Sequence, residues 1–162
     1  MADNYLTMLQ HLRDTSGAQE TVGLDDETIA RFCSSDAQLV QAINEASEAH
    51  KRLVEEFGMD VMSLPESELI PHLQEDYVNF YAPATVNPYI PIAGRGPWLV
   101  TSSGAVLHDN GGYGMLGGGH GPSEIISVMS ENHVMANVMT PSFSQARMAA
   151  ALKKELGHTR GS

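Results

Sequence analysis

Residues 94–123 constrain this chain more than any other stretch, because they combine two apolar runs with a glycine-dense loop. Seven glycines lie between Gly111 and Gly121. Glycine reaches positive φ and lets a backbone or ligand approach closely, but it loses much conformational freedom on folding. Ordering this loop therefore costs conformational entropy, and a need for flexibility alone does not explain so many glycines. The pattern predicts a loop that lies against another surface, and a mobile surface loop is the alternative.

Two short apolar runs before the loop predict a β-hairpin. They are Trp98–Thr101 and Ala105–His108, and Ser102-Ser103-Gly104 supplies the turn between them. After the loop, Pro122 suits the first turn of a helix.

A last helix is expected from Ser142 to Leu156, where Ser142 and Gln145 fit a capping box and Thr140, next to Pro141, is an equally good cap.

The amino-terminal part of the chain is predicted to be helical. Apolar residues recur at helical spacing over 3–14 and 39–57, and a second short helix that begins at residues 25–27 is expected to carry Ile29 and Phe32. Ser34 or Ser35 is the expected cap of the third helix, and Gly58 is expected to close it. Pro71 should interrupt the segment that follows.

Charge is unevenly distributed along the chain. Residues 1–90 carry 16 acidic and 4 basic side chains, whereas residues 91–162 carry 4 and 5. The acidic half therefore resembles a solvated outer layer. The net charge of −11 argues against nucleic acid and anionic membranes as partners.

Cysteine content and hydropathy predict a cytoplasmic protein. Cys33 is the only cysteine, so an internal disulfide is excluded, and its setting predicts a buried helix position instead of a nucleophile. No signal peptide or apolar run of transmembrane length is evident in the sequence.

Together these features predict an α+β fold in three parts. An acidic helical region would cover residues 1–82, and a proline-rich connector residues 83–97. A hairpin, the glycine-rich loop and two helices would occupy residues 98–162.

The residues in and around the loop give little support for metal binding, nucleotide binding or catalysis. His108, Asp109 and His120 match no common zinc spacing, so no metal site is expected. Residues 112–117 satisfy G-x-G-x-x-G formally, but no acidic residue follows on a second strand, so a nucleotide-binding loop is only a third possibility. No catalytic triad can be proposed, and no catalytic residue is expected in this chain.

The order of these motifs resembles the amino-terminal part of class III aminotransferases, fold-type-I enzymes that depend on pyridoxal phosphate. The similarity covers residues 91–160. It consists of Gly104-x4-Asp109, then Gly111-Gly112-Tyr113-Gly114-Met115-Leu116, then Gly119-His120-Gly121-Pro122 and the following helices. Gly121 directly precedes Pro122, so the second histidine of the family motif has no counterpart here.

The resemblance implies that the loop lies at the mouth of an active site, near a dimer interface. Tyr113, Gly114 and Met115 would then line the substrate pocket, and His120 and Asp109 would brace the loop. The implied substrates are an amino donor and a 2-oxo acid. The implied macromolecular partner is a second copy or the remaining part of the enzyme.

The lysine that binds the cofactor has no counterpart in this chain. Lys51, Lys153 and Lys154 are its only lysines, and all lie on predicted helix surfaces. The chain is therefore expected to be an incomplete portion of the enzyme, inactive by itself, with pyridoxal phosphate held elsewhere. The alternative is a non-enzymatic acidic helical interaction module.

Overall fold

In the computed structural model, which describes residues 2–77, 89–110, 117–132 and 139–156, helices pack against a small antiparallel sheet. The mixed α+β class predicted from the sequence is confirmed. The helices of the described residues are α1 (Ala2–Thr15), α2 (Asp26–Cys33), α3 (Ala37–Phe57), α4 (Met59–Met62), α5 (Glu66–Leu73), α6 (Ser123–Met129) and α7 (Phe143–Leu156). The strands are β1 (Pro91–Arg95), β2 (Trp98–Thr101) and β3 (Val106–His108).

The long helix α3 begins at a different cap from the one expected. Asp36 accepts hydrogen bonds from the backbone N–H groups of Gln38 and Leu39. The hydroxyls of Ser34 and Ser35 instead donate to carbonyls of the preceding helix, at 2.6 and 3.4 Å. The prediction of Ser34 or Ser35 was therefore wrong, whereas Gly58 ends α3 as predicted.

Pro71 lies inside α5 and does not interrupt it. Helical hydrogen bonds are present on both sides of the proline, because Leu69 N donates to Pro65 O at 2.8 Å and Gln74 N donates to Ile70 O at 3.2 Å. In a helix of 8 residues the proline removes a single donor. The predicted interruption was wrong.

The sheet contains the predicted hairpin and one further strand. β2 pairs antiparallel with β3, and Gly104 takes the positive φ of +74° that the turn needs. β1 pairs antiparallel with β2, so the strand order is β1-β2-β3. Part of the expected connector is therefore a strand, because residues 91–95 hydrogen-bond along β2.

Helices and sheet share one hydrophobic core, so the expected boundary at residues 83–97 does not separate two cores. The compact unit is Met1–Ile126, and a second unit is Ser127–Ser162. The core residues come from α1, α2, α3, β2 and β3: Leu9, Leu12, Ile29, Leu39, Ala42, Ile43, Ala46, Trp98, Val100 and Val106. The physical reason is that β1 and β2 pack directly on α3.

In the second unit, α7 buries none of its residues. Of its two expected caps, Ser142 is the one used, since Gln145 N donates to Ser142 Oγ at 3.2 Å. Its large apolar side chains, and that of the nearby Met139, are 45 to 86% exposed: Met139, Phe143, Met148, Leu152 and Leu156. The part of α6 that belongs to this unit also exposes Val128 and Met129.

Candidate functional site

The carboxyl end of the glycine loop is joined to the sheet by backbone hydrogen bonds. Gly96 N donates to His120 O at 2.9 Å, and His120 N donates to Gly96 O at 2.8 Å. Next to this pair, a Cβ on Gly119 would lie 2.7 Å from the Gly96 carbonyl oxygen. The pairing therefore requires glycine at position 119.

Asp109 and His120 lie at the two ends of the glycine segment, and the structure brings them together. His120 Nε2 lies 2.9 Å from Asp109 Oδ2, and Asp109 N donates to Pro97 O at 2.7 Å. The side chains of Asp109 and His120 are 13% and 26% exposed. The other predicted site residues, Tyr113, Gly114 and Met115, lie outside the described residues.

The hydrogen bond determines which nitrogen of the neutral ring carries the proton. An ionised carboxylate can only accept, so Nε2 of His120 donates to Asp109. Nδ1 is then a hydrogen-bond acceptor. The pair is called the Asp109–His120 dyad below.

A second connection holds the same loop end. Arg95 donates from Nε and Nη2 to the Glu45 carboxylate, at 2.7 to 3.0 Å, and from Nη1 to Gly121 O at 2.6 Å. The hydrogen bonds between Arg95 and Glu45 hold the pKa of Glu45 below its usual value, and the same bonds raise the pKa of Arg95. Arg95 is therefore occupied by groups of this chain.

Trp98 connects the sheet to the helical layer. Its Nε1 donates to Asp36 Oδ2 at 2.8 Å, and its ring lies against Phe32 at 5.1 Å and against His108 at 4.8 Å between centroids. His108 thus packs edge-on against an aromatic ring.

Across the described ranges, no three His, Cys, Asp or Glu residues are grouped as metal ligands.

Two clefts of the first unit meet at His120. One has a volume of about 490 Å³ and is lined by Tyr89, Ile92, Ala93, Leu99, Asp109 and His120, among others. We call it the dyad cleft. The other, of about 370 Å³, is lined by polar residues that include Gln38, Gln41 and Arg95.

Sequence reasoning did not identify Arg95, Glu45 or Asp36. Arg95 is the one basic residue between Arg52 and Arg147, which is a signal that it could have an acidic partner. Nothing in the sequence indicates which carboxylate that is, because Glu45 lies 50 positions away.

The remaining buried polar groups have structural roles. Glu66 is 3% exposed and accepts hydrogen bonds from Glu20 N, Thr21 N and Thr21 Oγ1, which fixes the segment after α1. His50 is 2% exposed, and its Nε2 lies 3.3 Å from Thr15 Oγ1. Cys33, which was expected at a buried position, is only half-buried; its partial burial and the charge of Asp36 raise the pKa of its thiol, which disfavours the reactive thiolate.

No protein-family model, curated protein or solved structure matches this chain. Among the described helices, none has the length and apolar character needed to cross a membrane. The functional argument therefore depends on the residues themselves.

Proposed function

We propose that this chain is part of a cytoplasmic class III aminotransferase, which uses pyridoxal phosphate to transfer an amino group from an amino compound to a 2-oxo acid. The segment would supply walls of the substrate pocket and contacts between subunits. One observation supports this most: the Asp109–His120 hydrogen bond closes the glycine segment between the hairpin and the helix that follows Pro122. A loop with fixed ends suits a pocket wall better than a freely mobile loop does.

The lysines of this chain do not fit the role of cofactor anchor. A lysine that attacks a carbonyl needs a desolvated setting that lowers its pKa. Lys51 has a side chain that is 60% exposed and pairs with Glu48 at 2.8 Å, and Lys153 and Lys154 are exposed on α7. The proposal therefore assigns the anchoring lysine to another part of the complete enzyme, and no catalytic step to this chain.

The exposed apolar residues of the second unit support a macromolecular partner. A 14-residue helix is marginal in water without tertiary packing, and α7 has no buried residue. Large exposed apolar surfaces commonly mark interaction sites. In the proposal, α7 packs against the remaining part of the enzyme or a second subunit.

The test is to isolate the protein from its native source with an antibody against this chain. We expect the isolated material to show the absorbance of bound pyridoxal phosphate and to transfer amino groups to 2-oxo acids. As a control, the 162-residue chain incubated with pyridoxal phosphate and dialysed should retain none. Native material with neither cofactor nor transaminase activity would contradict the proposal.

Pocket residues can be tested in the active native enzyme. Tyr113→Phe and Met115→Ala should change KM or the preference among amino donors while cofactor retention stays the same. Tyr77→Phe is the matched control, because Tyr77 is 66% exposed on the surface. Equal kinetics in all three variants would remove Tyr113 and Met115 from the proposed pocket.

The acidic interaction module is the second candidate. It is favoured by the core of Met1–Ile126, which joins the acidic helices to the sheet in one self-contained unit. A native protein that is a stable, cofactor-free monomer would support this candidate over the first.

A further inference from the structure

His120, which lines the dyad cleft, has a hydrogen-bond acceptor that no described residue uses. His120 Nε2 is engaged by Asp109, which leaves Nδ1 as the acceptor. Within the described ranges Nδ1 has no hydrogen-bond partner, and no buried side-chain nitrogen or oxygen there lacks one. Nδ1 is therefore not fully buried, and the ring that carries it lines the dyad cleft.

The shape and charge of the cleft restrict what this acceptor could bind. Its volume of about 490 Å³ lies within the range of small-molecule sites. Most of its wall is apolar, from residues such as Tyr89, Ile92 and Leu99, and none of the described residues that line it is a lysine or arginine. The carboxylate of Asp109 disfavours an anion and favours a cation.

The ring is also held in place before any ligand arrives. The Gly96–His120 backbone pair fixes its main chain, and Asp109 fixes its orientation. A Cβ on Gly94 would lie 3.0 Å from His120 Cβ, so β1 packs closely against the base of this side chain. Such preorganisation lowers the ordering cost of binding.

From these observations we infer that the dyad cleft binds small apolar amines. The ammonium group donates a hydrogen bond to His120 Nδ1, and its charge is favoured by Asp109 behind the ring. The apolar body packs against the wall formed by Tyr89, Ile92 and Leu99. Because this binding needs no cofactor, it goes beyond the aminotransferase proposal, and either can fail without the other.

The test is a titration of the full chain, labelled with ¹⁵N in its histidine rings, with benzylamine and with benzoate. We expect benzylamine to shift the Nδ1 resonance of His120 saturably, whereas benzoate at equal concentration does not. His120→Phe should weaken benzylamine binding about tenfold or more, the effect of losing one charge-assisted hydrogen bond. His72→Phe removes an exposed imidazole elsewhere and should leave affinity unchanged.

Asp109→Asn provides a second variant in case His120→Phe fails to fold. Its amide no longer dictates the tautomer, so the ¹⁵N spectrum should show Nδ1 partly protonated and benzylamine affinity should fall. The inference is overturned if benzylamine gives no saturable shift, if benzoate binds as well, or if folded His120→Phe binds benzylamine like the wild type.

Discussion

Trp98 in the first unit and Phe143 in the second lie in opposite environments. In Met1–Ile126, Trp98 is 2% exposed and joins the sheet to the helices. In Ser127–Ser162, Phe143 is 86% exposed at the start of α7. The difference teaches that burial stabilises the first unit from within, whereas the apolar residues of the second would contribute only if another surface covered them.

Matched aromatic truncations should show the largest difference between the units. Trp98→Ala should lower the free energy of unfolding by about 3–5 kcal/mol, because it empties a core position and leaves Asp36 without its indole donor. Phe143→Ala should change it by less than about 0.5 kcal/mol. Denaturant titration followed by circular dichroism measures both, and equal losses would refute the contrast.

The fixed end of the glycine loop gives the next largest effect. Gly119→Ala adds a Cβ 2.7 Å from the Gly96 carbonyl oxygen, whereas at Gly117 no atom of the described residues lies within 4 Å. Both residues have positive φ, which should cost each variant roughly 1–2 kcal/mol. The close contact should cost Gly119→Ala about 1–3 kcal/mol more.

Thermal unfolding of the Gly119→Ala and Gly117→Ala variants measures that difference. If they are equally stable, Gly119 does not lie against Gly96, and the loop end is not held as described.

The Glu45–Arg95 pair should make stability depend on acidic pH. Arg95 holds the pKa of Glu45 below its ordinary 4.5, so the unfolded state binds protons first as the pH falls. The stabilisation is present above that ordinary value and is lost on further acidification. Because Glu45 is partly exposed, Glu45→Gln should cost about 1 kcal/mol or less at pH 7 and should reduce the acid dependence. An unchanged profile in denaturant titrations from pH 7 to 3 would contradict this.

Protonation of His50 should have the smallest effect on stability, and it should occur at a higher pH than that of Glu45. Burial, and then His11, lower the pKa of His50 from its usual 6.5, so the folded state favours the neutral ring. Its contribution to stability is complete above that usual value and declines as the pH falls below it. His11→Gln removes the second cause and should reduce the decline. Unfolding free energies at pH 7 and 5.5 test this, and an equal decline in the variant would exclude a role for His11.

Features set by neighbouring residues could be predicted from the sequence, whereas features set by distant contacts could not. The hairpin turn at Gly104 and the cap of α7 are local features. The turn was predicted, and the cap was limited to Thr140 or Ser142. The strand β1 was missed because its prolines and glycines indicate a connector, and only pairing with β2 makes residues 91–95 a strand.

The candidate site shows the same limit. Asp109 and His120 were singled out by the glycines between them and the resemblance. Their mutual hydrogen bond, and the link from Arg95 to Glu45, depend on how the chain folds back on itself.

Hydrogen exchange of the full chain, resolved by residue, tests the contrast between the two units most directly. We expect amides of α3 to exchange only through global unfolding, and amides of α7 to exchange within about tenfold of an unstructured peptide. Protection of α7 equal to that of α3, in the isolated monomer, would contradict the claim that the second unit needs a partner surface.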